Sequence, residues 1–233
     1  MAMRDDRAYT PLPGDDMLFP VYSRAERIAD AILHLIGIAA ALIAVPVMIS
    51  LAAVWYGDAS TVGAAAVYGA SLLAMLCLSA CYHMVRDGRT KQVLRRLDHA
   101  AIYVKIAGTY TPFAVLLAGD DAGMILGGIW GAALLGVAFK IAAPKKIERL
   151  SLGLYLAMGW GFVVVGGPIL EEISVASFRL MLAGGLLYTF GVGFFLWERL
   201  RFHNAIWHGM VVAASFAFYA AILVEVARRA PMG

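Results

Sequence analysis

Charged residues are scarce in this chain, and their scarcity excludes most soluble folds. Of its 233 residues only 15% are Asp, Glu, Lys or Arg, whereas 62% are hydrophobic, and the mean hydropathy is +0.78. A typical soluble domain has about 25% charged residues. The composition therefore predicts a protein that crosses a membrane several times, built as one domain without a linker.

Cysteine is also rare, which excludes a disulfide framework and the common thiolate metal motifs. Cys77 and Cys81 lie within one apolar run and form no CxxC pair, so we interpret them as small packing residues. No cleavable signal peptide is visible, because several aspartates precede the first apolar stretch. We expect residues 1–23 to form a polar N-terminal tail and residues 24–233 to form a single membrane domain.

The hydrophobic residues fall into seven runs, each near the length of about 20 residues that a membrane helix requires. The predicted spans are 28–55, 62–84, 100–117, 124–141, 150–170, 176–197 and 204–226. Fifteen of the 19 lysines and arginines lie in the N-terminal segment, at the end of the fourth span, or in the loops after the second, fourth and sixth spans. Because basic loops stay in the cytoplasm, we predict an all-α, seven-helix bundle in the inner (plasma) membrane, with the N-terminus cytoplasmic and the C-terminus outside.

Polar residues with chemical potential gather at the cytoplasmic ends of three predicted helices. The second span ends with Ser79 and His83, in the sequence SACYH, and the third span is preceded by Asp98. The seventh span begins beside His203 and contains His208. Imidazole nitrogens and a carboxylate are ligands that zinc prefers. The predicted topology therefore brings candidate zinc ligands together near the inner leaflet.

Three further polar residues at this level have simpler interpretations. We interpret His34 and His99 as amphipathic side chains at the headgroup boundary, where such residues are common. Lys105 lies within the third span, and we expect it to snorkel towards the interface or to pair with Asp98, which is on a similar face of the helix.

Four motifs together resemble the hemolysin III family, which is related to the adiponectin and progestin receptors and more distantly to the alkaline ceramidases. They are SACYH, LDHAAIYVKIAGTYTPF, PKKIERLSLGLYLAMGW and NAIWH. The resemblance covers nearly the whole chain and implies seven helices with a zinc ion near the inner leaflet. It also implies that His83 and His208 are zinc ligands, that Asp98 holds the water at the metal, and that Ser79 is the serine of the SxxxH motif.

One position departs from the pattern of the receptors. The first histidine of their HxxxH pair falls on Asn204, and a histidine stands one residue earlier, at His203. On a regular helix, residues four apart are separated by about 40° and residues five apart by about 140°. His203 therefore joins His208 at a metal only if the helix starts irregularly or contains a π-bulge. Otherwise the zinc needs a different third ligand.

Three functions are open from the sequence. The first is a ceramidase-like, zinc-dependent hydrolase of a lipid amide or ester, in which His83, His208 and His203 hold the metal. Asp98 then accepts a proton and Ser79 steadies the carbonyl oxygen. The second is a receptor-like protein that senses or regulates the membrane lipid state, in which a structural zinc ion holds helices together. The third is a pore-forming cytolysin, against which the lack of a charged stripe on any helix argues. We expect membrane lipid, and not nucleic acid, as the partner.

Overall fold

The computed structural model describes residues 22–85, 88–142 and 148–230. These residues form eight α-helices and no strand: α1 (Arg24–Trp55), α2 (Ala59–Met84), α3 (Arg89–Leu117), α4 (Ala122–Ala142), α5 (Glu148–Val165), α6 (Gly167–Glu172), α7 (Val175–Leu196) and α8 (His203–Arg228). The predicted all-α class is therefore confirmed. The predicted polar tail lies outside the described residues except for its last two, Tyr22 and Ser23.

Six of these helices are long and apolar enough to cross a membrane, namely α1, α2, α3, α7, α8 and the stretch Gly119–Ala142 that contains α4. The predicted fifth span is divided in the structure. Its apolar part in α5 is only Leu150–Val163, and α6 begins a separate short helix at Gly167. Pro168 stands in the first turn of α6 and has no N–H group to continue the turn before it. The chain is thus a polytopic all-α membrane protein, with six long spans and one shorter apolar helix among the described residues.

The helices begin earlier than their hydrophobic runs predict, and the starts of α1 and α3 matter most for the site. The start of α1 is fixed by a capping box in which Ser23 Oγ accepts from the backbone N–H of Glu26 at 3.3 Å. The Glu26 carboxylate in turn accepts from the backbone N–H of Ser23 at 2.9 Å, so both orphan donors are satisfied. The other of these two helices is α3, which starts at Arg89 and carries Asp98 within it. The polar residues of the predicted site therefore lie on helices and not on loops.

The helices pack as sequential neighbours, and α8 closes the bundle by contacting both α7 and α1. The central helix, α3, contacts α2, α4 and α8. One close approach between α2 and α3 occurs at Gly108, where a Cβ atom would lie 2.8 Å from the Cβ of Ser71. Small residues permit such close contacts between membrane helices. As a result, α1, α2, α3 and α8 meet around one interior space.

That space is a cavity of about 1570 Å³. Asp30, His83 and Asp98 line one part of it, and apolar side chains such as Phe113 and Ile106 line another. Pockets for drug-sized ligands occupy about 300–1,000 Å³, so this cavity has room for an elongated amphiphilic molecule. The polar and apolar walls belong to one continuous space along α3.

Candidate metal centre

A buried carboxylate on α1 lies at the centre of the polar residues. Asp30 is 7% exposed, and its Oδ1 lies 2.5 Å from Nδ1 of His208 on α8. Its Oδ2 lies 3.6 Å from Nδ1 of His83 on α2 and 3.7 Å from Nδ1 of His34, one turn further along α1. A buried carboxylate requires charged or hydrogen-bonding partners, and three imidazole rings surround this one. We call Asp30, His34, His83 and His208 the polar cluster.

The three rings of the polar cluster contact one another. The ring centroid of His208 lies 4.4 Å from that of His34 and 4.5 Å from that of His83. His34 and His208 are buried, whereas the His83 side chain keeps 16% of its surface exposed. One ligand atom each from Asp30, His34 and His208 lies within 4.8 Å of the other two. The cluster thus places oxygen and nitrogen donors within reach of a single ion.

Hydrogen bonds determine where the proton of His34 lies. Its Nδ1 donates to the backbone carbonyl of Asp30 at 2.9 Å, and a carbonyl oxygen only accepts. In the neutral ring Nε2 therefore accepts from the hydroxyl of Ser79, at 3.1 Å. The Nε2 lone pair is thus the one that can bind a metal ion, and it would exchange the Ser79 hydroxyl for the ion when it does so. Ser79 consequently lies directly beside the polar cluster.

Asn204 occupies a place between two imidazole rings. It follows the first residue of α8, and Asn204 and His208, four residues apart, share a face of that helix. The Asn204 Nδ2 atom lies 3.4 Å from Nδ1 of His83 and 3.5 Å from Nδ1 of His208. The amide therefore stands where the receptor pattern has its first histidine.

His203 lies outside the polar cluster. It is the first residue of α8, which continues as α-helix without a π-bulge, so its ring does not turn to the side of His208. The ring instead contacts that of Tyr22, with centroids 5.8 Å apart. Burial raises the pKa of Tyr22 to about 12, so the phenol stays neutral. The structure thus brings His83 and His208 together but leaves His203 apart, and its ligand role stays a prediction.

Asp98 lies near Ser79, which is beside the polar cluster. It does not belong to the group of Asp30, His34 and His208, whose ligand atoms lie within reach of one ion. Asp98 is 8% exposed, and its carboxyl group lies near the Ser79 side chain. Both residues line the cavity. A general base must stand within reach of the reacting proton, and this position between cavity and cluster provides that reach.

The donor set of the polar cluster fits zinc. Zinc binds imidazole nitrogens and carboxylate oxygens in four-coordinate sites, and Asp30, His34 and His208 offer one oxygen and two nitrogens within mutual reach. Among the described residues, the ion-pair partners of Asp30 are all histidines, which are charged only when protonated. A bound cation would therefore balance this carboxylate when the rings are neutral. His83 is the fourth donor available at the same place.

We do not predict from the sequence that Asp30 and His34 belong to the polar cluster. His34 is expected at the headgroup boundary, but the structure shows it 3% exposed and bonded to Ser79. The sequence does contain an indication of their pairing, because Asp30 and His34 are four residues apart and share one face of a helix. An aspartate that begins an apolar run is also costly to bury unless it has a partner.

The expectation for Lys105 was wrong in both of its forms. The side chain is 3% exposed and does not snorkel. Its Nζ donates to Thr109 Oγ1 at 2.7 Å and lies 4.5 Å from the centroid of the Tyr68 ring. A hydroxyl one turn further along α3 and an aromatic face from α2 thus replace the predicted contact with Asp98.

Comparisons with known proteins give one consistent result. A family model described as Haemolysin-III related matches residues 23–219, a range that includes the whole polar cluster. The protein called "Hemolysin-3 homolog" of Bacillus subtilis (strain 168) is 38% identical over 206 residues, which cover 87% of this chain and 95% of that relative. The protein called "Hemolysin-3" of Bacillus cereus is 39% identical over 204 residues, which cover 86% of this chain and 92% of that relative.

Proposed function

Since this chain belongs to the haemolysin-III related family, and is a multi-pass protein of the plasma membrane, we propose that it is a zinc-dependent hydrolase of a lipid amide or ester. The observation that carries the proposal is the connection between the polar cluster and the cavity of about 1570 Å³. A metal that served only to hold helices together would need no such space beside it. A substrate with a hydrocarbon chain does need it.

The ligands that we assign to the zinc ion are Asp30, His34 and His208, with His83 as the neighbouring fourth donor. With His83 included, this set keeps both histidines that the resemblance implies as ligands and adds Asp30 and His34 from α1. Zinc, when bound, polarises a carbonyl oxygen and lowers the pKa of water.

Two residues beside the cluster supply the proton transfers and the orientation. Asp98 accepts a proton from the attacking water, whose oxygen bonds to the acyl carbon. The Ser79 hydroxyl, which would exchange its partner His34 for the substrate, donates a hydrogen bond to the carbonyl oxygen as negative charge develops there. Asp98 then gives the proton to the departing nitrogen or oxygen as its bond to the acyl carbon breaks. The products are a carboxylic acid and an amine or an alcohol.

The apolar part of the cavity holds the acyl chain in this proposal. Ile102, Ile106 and Phe113 lie along α3 beyond Asp98 and line the cavity. Burial of apolar surface stabilises by about 25 cal/mol per Å², so a chain in contact with these walls contributes most of the binding free energy. The polar cluster then contacts the bond to be cleaved.

A second function, a lipid sensor with a structural zinc, is favoured by a different observation. The polar cluster joins three helices, because Asp30 and His34 lie on α1, His83 on α2 and His208 on α8. An ion held there would fasten these helices together whether or not a reaction followed. This alternative predicts a strong effect of zinc on stability and no turnover.

The two functions separate in one experiment on the purified protein in a neutral detergent. Zinc per chain is measured by mass spectrometry, and release of fatty acid is measured with a long-chain lipid amide and a long-chain lipid ester. We expect turnover in the zinc-loaded protein, and a loss of about 10²–10⁴-fold in Asp98→Asn with its zinc content unchanged. Asp120→Asn, which alters an exposed acid distant in sequence, is the matched control.

Each result decides between the alternatives. Absence of turnover in fully zinc-loaded protein on both substrates would refute the hydrolase and leave the structural zinc. Absence of zinc after supplementation would refute both. Loss of zinc in Asp98→Asn would place this residue among the ligands and not at the base position.

A further inference from the structure

A lysine lies inside the bundle, away from the polar cluster. Lys105 follows Asp98 by two turns of α3, which places it about 10 Å further along the helix at 1.5 Å per residue. It is 3% exposed and lines the cavity. Ionisable side chains at this depth are costly and usually belong to a functional site. The proposed hydrolysis assigns Lys105 no role.

The protein partners of Lys105 leave part of its binding capacity unused. An ammonium group has three N–H donors. One is taken by Thr109 Oγ1 at 2.7 Å, and the Tyr68 ring, 4.5 Å away, provides a weaker cation–π contact. The Thr109 hydroxyl donates its own proton to the backbone carbonyl of Lys105. In the described part of the chain, no carboxylate forms an ion pair with Lys105.

Two other donors that line the same space, Tyr110 and Trp160, already have partners. The Tyr110 hydroxyl donates to the backbone carbonyl of Met158 at 2.8 Å, and Trp160 Nε1 donates to Thr189 Oγ1 at 3.0 Å. Lys91 and Arg95, which also line the cavity, precede Lys105 by at least ten residues, about 15 Å along α3, so a molecule at this depth meets Lys105 as the one cation of that helix. A phosphate, with up to two negative charges and three acceptor oxygens, would remain largely unpaired here. A carboxylate carries one charge and matches one ammonium.

We propose that Lys105 binds the carboxylate of an alkyl carboxylate whose hydrocarbon chain occupies the cavity. The carboxylate pairs with the Nζ atom, and apolar residues such as Ile106 and Phe113 contact the chain. Two sources present this same chemistry, a free fatty acid and a lipid acyl chain that ends in a carboxylate. The site is formed by α2 and α3 at a different depth from the polar cluster. It does not require a metal and thus goes beyond the proposed hydrolysis.

The test compares ligands of equal chain length with and without a free carboxylate, using purified protein in a neutral detergent. The probes are dodecanoate, its methyl ester, and the monomethyl ester of dodecanedioic acid, with affinities measured by calorimetry. A hydrogen bond to a charged group corresponds to a preference of about 10–100-fold. We expect both carboxylates to bind more tightly than methyl dodecanoate by this factor. If only dodecanoate does, the source is a free fatty acid. If only the monomethyl ester of dodecanedioic acid does, the source is a lipid acyl chain that ends in a carboxylate.

Variants assign the preference to one residue. Lys105→Met is expected to lose the preference for carboxylates while its affinity for methyl dodecanoate stays unchanged, and Lys105→Arg is expected to retain the preference. Arg179→Met is the matched control, because Arg179 is an exposed cation on α7 outside the described lining of the cavity. His208→Ala, which disrupts the polar cluster, is expected to keep the preference. This last variant separates failure of the carboxylate site from failure of the proposed hydrolase.

Two results would overturn the proposal. One is equal affinity of the unmodified protein for dodecanoate and its methyl ester, and the other is a preference that survives in Lys105→Met. Lys105→Met should remain folded, because it replaces a buried charge without an ion-pair partner by an apolar side chain of similar length. The thermal midpoint in the absence of ligand checks this, and Lys105→Gln provides the same test with a polar, uncharged side chain.

Discussion

Replacement of Asp30 by asparagine removes the one carboxylate of the polar cluster and keeps its size. The Oδ1 atom lies 2.5 Å from Nδ1 of His208, a short, charge-assisted contact of a kind worth about 1.5–3 kcal/mol. That range corresponds to about 10–150-fold in an equilibrium constant. Residues that only orient a ligand cost about 10–100-fold in metal affinity when they are removed. For a direct ligand we therefore expect Asp30→Asn to weaken zinc binding by at least about 100-fold.

Competition with a chromophoric chelator measures this loss directly on the purified protein. Thermal unfolding provides a second readout, because a ligand at 100 times its dissociation constant stabilises the folded state by about 2.7 kcal/mol. At a zinc concentration that stabilises the unmodified protein to this extent, Asp30→Asn should show almost no shift of its thermal midpoint. Asp121→Asn is the matched control, since Asp121 is an exposed acid in the turn before α4.

An unchanged zinc affinity in Asp30→Asn would refute the assignment of this carboxylate as a ligand. The zinc ligands would then be the histidines alone, as the resemblance implies, and Asp30 would act only as a hydrogen-bond partner of His208. Weaker zinc binding together with an unfolded apo-protein would instead indicate a folding defect. The thermal midpoint measured without zinc separates these two outcomes.

Three further predictions concern residues at both ends of the bundle. His203→Ala should keep about one zinc per chain by mass spectrometry, because its ring lies outside the polar cluster; loss of zinc would restore the ligand set predicted from the sequence. Asn204→His in the Asp30→Asn background should regain zinc affinity in the chelator assay, since it adds an imidazole beside those of the cluster, and no gain would show that this position cannot ligate. Glu225→Gln should lower the thermal midpoint by an amount that corresponds to about 1–3 kcal/mol, because this fully buried carboxylate accepts hydrogen bonds from α7 and α8. Glu172→Gln, with 57% of its side chain exposed, should cost less than about 1 kcal/mol, and equal effects of the two changes would contradict this reasoning.

The membrane helices are predictable because their signal is local. A run of about 20 apolar residues is decided by composition alone, and the ends of α2 and α7 lie within a few residues of the predicted ones. The division between α5 and α6 is harder to predict, because the run 150–170 remains apolar through the break. Its local cause, Pro168 in the first turn of α6, is readable in the sequence only once a boundary is considered there.

Only those site residues whose level in the membrane follows from the helix topology could be predicted from the sequence. Helix ends on one side of the membrane fix the common level of His83 and His208, and the structure places their rings in contact. Which face of α1 turns inward depends on its packing against α2 and α8, so the position of Asp30 is not determined by local sequence. The surroundings of Lys105 depend likewise on Tyr68, a residue of another helix.

The contacts between α1 and α8 explain why Asp30 belongs to the cluster. One turn before it, the Glu26 carboxylate accepts from the backbone N–H of Phe202 at 2.9 Å, immediately before α8 begins. Asp30 then meets His208, one turn further along α1 and nearly two turns further along α8. Two successive contacts fix the register of α1 against α8 at the level where Asn204 stands in place of an imidazole. In the proposed zinc site a carboxylate supplied by α1 would compensate for the donor absent from α8, and the site would follow from the packing of two helices rather than from one motif.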